Sequence, residues 1–205
     1  MSAGAAAPSG GSGGTTGTAG ANAPAPDAGM SRSSDQDGGP GDVTRMRLND
    51  AQIAAVLSAV NTAETGVGMY AVTRATTPAV RAFAQSMVEM HNTSKERQTA
   101  LFNTLMLTLE TSNLSAQLTD TSTATMTQLM SVVGTEFDAA YVRSQVDAHT
   151  QVLMIIDEQL LPNVTADALR SELVLTRTQV ATHIDAARTA LQTLEAEDTD
   201  AGIRP

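Results

Sequence analysis

The sequence predicts an all-α fold: four long antiparallel helices and an extra short one, behind a disordered N-terminal tail. Three observations predict it. Apolar residues from Asn49 to Leu194 recur at three- and four-residue spacing, the rhythm of helix faces buried against one another. Capping residues and prolines punctuate that rhythm at the expected helix ends. Composition also changes sharply near residue 45, since eleven of the 15 glycines and four of the seven prolines lie in residues 1–42. Such a segment buries too little apolar surface to offset the entropy of ordering. Residues 1–45 are therefore expected to be a flexible tether, 46–197 the folded domain and 198–205 a flexible C-terminal tail.

The first helix is expected to begin at Asn49, where Gln52 three residues on completes a capping box. Ile53, Val56, Leu57, Val60, Glu64, Val67 and Ala71 share its inner face. Gly66 and Gly68 each weaken the helix by about 1 kcal/mol relative to alanine, tolerable where a neighbouring helix or a ligand approaches closely. Thr77 then caps a second helix with Pro78 at its first position, where no hydrogen bond is lost. That helix is expected to reach about Leu109, with Val80, Phe83, Ala84, Met87, His91, Ser94, Gln98, Leu101 and Leu105 inward.

Residues 111–120 read as a connection and Thr121 to Val133 as a short helix stopped by Gly134. A long helix follows as far as Pro162, its stripe running Val142, Val146, His149, Val152, Leu153, Ile156 and Leu160. The last, roughly Thr165 to Ala196, sets Leu169, Leu173, Thr176, Val180, His183, Ala187, Leu191 and Leu194 on one face.

The formal charge of -10 and a single lysine, Lys95, repel phosphate backbones, so no nucleic-acid partner is expected. With no cysteine there is no disulfide, thiolate metal site or cysteine nucleophile. No apolar run approaches the roughly 18 residues that span a bilayer, so no transmembrane span is expected. Neither a Gly-x-Ser-x-Gly elbow nor a phosphate-cradling glycine loop precedes a helix, and no catalytic residue or reaction is assigned. The N-terminus lacks a signal peptide's charged start and apolar middle. Met1 to Pro8 resembles the linker that follows a cleaved or lipidated N-terminus, so a mature form, or a start assigned downstream of an export signal, is expected.

Four ionisable residues interrupt the apolar stripes, one on each long helix: Glu64, His91, His149 and His183. Buried polar groups need partners. They are the candidate metal ligands, for zinc, copper or iron, although the sequence requires none. Glu64 and His91 lie symmetrically about the Thr77-Pro78 turn, which predicts a direct hydrogen bond between them. His183 sits about five residues farther from the Pro162-Asn163 break than His149, or roughly 7 Å, so joining all three histidines would need the helices to slide or bend. A di-iron carboxylate site is not expected, because the Glu-x-x-His pattern is replaced by Val88, Val146 and Val180. Arg143 and Asp147 have the spacing of a surface ion pair, and Met87, Met90, Met106, Met126, Met130 and Met154 that of gap-filling core.

Ala63-Glu64, Gly68, Ala71, Ala75-Thr76, Pro78, Val80-Arg81, Phe83-Ala84-Gln85, Met87-Val88-Glu89 and His91, then Phe137-Asp138, Tyr141, His149 and His183, form an ordered set. It resembles the domain of unknown function 4142 family over residues 48–195. The resemblance implies a ferritin-like helical bundle in a bacterial exported or envelope-associated protein, in the periplasm or at the outer membrane, often with a lipoprotein segment. Met90 stands where the family commonly has an aspartate. Two functions remain open: a non-enzymatic binding or structural module with an envelope or protein partner, and a metal-binding or redox four-helix bundle.

Overall fold

The computed structural model describes residues 47–203, the stretch 197–203 by its backbone alone. The expected tether, the reading of Met1 to Pro8 and the last two residues lie outside the described residues. Five α-helices make up the fold, with no strand among the described residues: α1 (Asp50–Arg74), α2 (Pro78–Thr104), α3 (Asn113–Met130), α4 (Gly134–Ile155) and α5 (Asp167–Ile203). A π-helical turn, Ile156–Leu160, extends α4. Helix α1 packs on α2, α4 on α5, and α2 on α5, while α3 lies chiefly against α1. No described helix is long and apolar enough to cross a membrane.

The predicted starts hold where a side chain makes them. Asn49 and Gln52 form the reciprocal capping box of α1, and the Thr77 hydroxyl caps α2 at the Val80 amide, with Pro78 in its first turn. Helix α2 stops five residues short of Leu109. Met106, at φ 52°, takes the left-handed position of a Schellman turn, with Leu107 N donating to Phe102 O and Met106 N to Asn103 O. No glycine marks this end, so the sequence pattern runs past it. Helix α3 starts at Asn113 rather than Thr121, because Ser112 and Ser115 cap one another reciprocally. The hydroxyls of Thr119, Thr123 and Thr127 donate to carbonyls four residues back, so they are satisfied within the helix rather than competing for its amides. At the far end α5 continues to Ile203, with no breaker before Gly202.

Gly68 marks the close approach of α1 to α2: a Cβ there would lie 2.9 Å from Val88 Cγ2, whereas one at Gly66 would meet nothing. Met87 is buried, but Met106, Met130 and Met154 are exposed and fill no core gap, which corrects that expectation. The Arg143–Asp147 pair does not form either; the ion pairs among the described residues join Arg97 to Glu172, Arg177 to Asp157 and Arg188 to Asp185. Asp138 is fully buried and accepts hydrogen bonds from the amides of Thr76 and Thr77 and from the Thr76 hydroxyl. It ties the α1–α2 turn to α4.

The apolar core has two halves. One contains Ile53, Leu57, Phe102, Val152, Ile156 and Leu169; the other contains Val67, Phe83, Met87, Phe137, Tyr141 and Ala187. Along each of α1, α2 and α4 the change from one half to the other falls at buried polar residues: Asn61 and Glu64, then His91, Ser94 and Gln98, then Gln145 and His149. Glu172 and His183 continue this polar belt on α5.

Candidate functional site

The belt brings the three histidines together. His91, His149 and His183 are each at most 4% exposed. Their ring centroids are 5.1 to 5.6 Å apart, and one ring nitrogen from each lies within 4.8 Å of the others. The expected 7 Å offset of His183 is therefore wrong. The chain keeps winding past Pro162 to Val164, whose amide still donates to Leu160 O. Fifteen residues then separate His149 from Val164, and sixteen separate Asp167 from His183, so the two arms match in height.

The hydrogen bonds around the rings decide where the protons sit. His149 Nδ1 lies 2.9 Å from Gln145 O, a backbone carbonyl that can only accept. Nδ1 therefore carries the proton, and Nε2 presents a lone pair in the neutral ring. His183 Nδ1, 3.1 Å from that Nε2, must donate to it. His91 Nδ1 lies 3.0 Å from Asn61 Oδ1. Donation to that oxygen leaves His91 Nε2 with a lone pair, buried and without a partner.

Burial pushes the His91 pKa down to about 3 and that of His183 to about 4, with the charges of neighbouring imidazoles adding to the shift. Both rings are thus neutral at physiological pH, the state in which imidazole binds metals.

Glu64 is buried as expected but does not bond His91, which corrects the predicted contact. The Asn61 amide, one turn earlier on α1, occupies the His91 Nδ1 position instead. Glu64 Oε2 and Gln145 Oε1 are buried without partners, and both residues line a cavity of about 50 Å³ between α1, α3 and α4. Tyr141, whose hydroxyl is also unpartnered, has its pKa raised first by burial and then by the charge of Glu64.

The sequence pattern missed Asn61, Glu172 and Arg97. Arg97 grips the carboxylate of Glu172 through Nε and Nη2, at 2.9 and 2.8 Å. Glu172 also accepts from Gln98 Nε2 at 3.0 Å, and Gln98 Oε1 accepts from Asn61 Nδ2 at 2.6 Å. The signal was present: Asn61 follows Leu57 by four and precedes Glu64 by three, and Glu172 precedes Thr176 by four. Polar residues at those positions mark the belt.

Among known proteins, the chain matches no curated protein and no solved structure. Residues 37–190 match the model of one family, described as Domain of unknown function (DUF4142). That span takes in all three histidines, Glu64 and the hydrogen-bonded chain behind His91, and the protein belongs to the DUF4142 family.

Proposed function

We propose that the protein is a metal-binding four-helix bundle of the ferritin-like class, which holds one zinc or copper(II) ion through His91, His149 and His183. The observation that carries this reading is the convergence of three buried imidazoles, two of them with their outer N–H groups committed to fixed acceptors. Ligating histidines are oriented in this way by the partner of the second ring nitrogen. Three nitrogens on a tetrahedral ion, each about 2.0–2.1 Å from it, stand roughly 3.4 Å apart. The His149 Nε2–His183 Nδ1 separation of 3.1 Å is near that value, the ion taking the place of the shared proton as His183 shifts its N–H to Nε2, and the widest spacing, 4.8 Å, closes by modest ring rotation. Imidazole donors without thiolates suit zinc and copper. A buried dication needs a compensating charge, and Glu64, buried beside Asn61 on α1, supplies a carboxylate for it.

A purely structural belt accounts less well for His91 Nε2, because a register-fixing histidine gains nothing from a buried, unpartnered acceptor. No reaction is assigned. The glycine-rich start of the chain and the family resemblance support an exported, envelope-associated setting, in which the N-terminal segment serves as a tether to the bundle.

The test is metal analysis of the full chain purified without a histidine tag, followed by titration with zinc and with copper(II). One ion per chain is expected, with a rise in melting temperature, and His149→Ala should abolish both. Absence of stoichiometric binding by either ion would refute the reading and leave the histidines a structural role.

A further inference from the structure

We infer that Glu172 on α5 is a positioning residue that sets the tautomer of His91 on α2, acting through Gln98 and Asn61. A carboxylate only accepts hydrogen bonds, so the group facing it must donate. Gln98 Nε2 commits its protons to Glu172 Oε1 at 3.0 Å and to Thr176 Oγ1 at 3.3 Å. The Thr176 hydroxyl is itself turned to Glu172, at 3.2 Å, which leaves its oxygen free to accept. Gln98 must then present Oε1 to Asn61, and at 2.6 Å only the Asn61 NH₂ can face it. Asn61 is left with Oδ1 toward His91 Nδ1, which must carry the proton.

Each amide has two orientations, but the fixed acceptor at one end selects one for both. Reversing the chain would set Gln98 Oε1 against the carboxylate. Asn61 would then donate to His91 Nδ1, and the ring proton would move to Nε2, removing the lone pair there. Arg97 completes the device by holding Glu172 in place with paired hydrogen bonds. Gln98 is 1% exposed and Asn61 5%, so water does not offer the amides an alternative partner.

The tautomer assignment stands on hydrogen bonding alone; only its consequence for ion affinity rests on the metal-binding reading. The test is long-range ¹H–¹⁵N correlation of the full chain labelled at histidine, free of metal. Wild type should show His91 as a single Nδ1–H tautomer. Arg97→Met/Glu172→Met removes both members of the ion pair together, so no buried charge is stranded. In that variant the amides lose their anchor, and a substantial Nε2–H population should appear. A wild-type Nε2–H tautomer, or an unchanged Nδ1–H tautomer in the variant, would overturn the inference. Should the double variant fail to fold, Gln98→Leu cuts the same chain and is read the same way. Zinc affinity of the variant should fall about 10–100-fold, the usual cost of losing a ligand's orienting partner. A wild type that binds no ion refutes the metal-binding reading and leaves the NMR result intact.

Discussion

Lowering the pH from 7 to 5, with a chelator present, should remove about 4 kcal/mol from the unfolding free energy. The perturbation acts on His91 and His183, whose folded pKa values lie at about 3 and about 4 against 6.5 for a free imidazole. Both are lowered, so the unfolded chain binds more protons across this window and stability falls with pH. The stability they contribute is fully present above pH 6.5 and drains away toward the folded values. At pH 5 proton binding favours an unfolded histidine by about 2 kcal/mol, against about 0.2 at pH 7, while the folded rings stay neutral.

The difference is just under 2 kcal/mol for each ring, and it depends little on the folded values because both lie well below 5. Asp50 and Asp157, lowered from 3.8, titrate beneath the window and do not contribute. Urea unfolding followed by circular dichroism at the two pH values measures the loss. His91→Gln should roughly halve it. Equal stability at pH 7 and 5 would refute the placement of these rings in a desolvated belt.

Glu64→Leu should stabilise the metal-free protein by about 1–3 kcal/mol, because it removes a buried carboxyl oxygen that has no hydrogen-bond partner. Denaturant melts check the sign, and a loss of stability would mean that Glu64 has a partner in the core. Asp138→Ala removes the buried carboxylate that accepts from the part-buried amides of Thr76 and Thr77 and should cost about 1–3 kcal/mol, read as a fall in melting temperature. An unchanged midpoint would show that the turn is held by other contacts.

Much of the architecture was legible in the sequence because it is local. The caps at Asn49 and Thr77 and the inward stripes of α1, α2, α4 and α5 each follow from residues within a few positions of one another. The helix ends that escaped notice lacked the usual marks. Met106 stands in a left-handed position where a glycine would have been conspicuous. Ser112 and Ser115 start α3 within a run of polar residues that reads as a loop. Periodicity also turned Glu64 and the three histidines inward correctly, since burial of a helix face needs only the three-four count.

The partners of those residues belong to the tertiary structure alone. Counting from the Thr77-Pro78 turn put Glu64 opposite His91, but one helical turn decides whether a carboxyl or an amide arrives, and packing places Asn61 there. The winding that follows a π-helical turn and runs past Pro162, levelling His149 with His183, is announced by no residue pattern. The sequence by itself determined which faces of the long helices turn inward, because an amphipathic helix has one way to hide its apolar face. Only the packed fold decided which polar groups meet, because hydrogen bonds are set within tenths of an ångström and helix registers shift by whole residues.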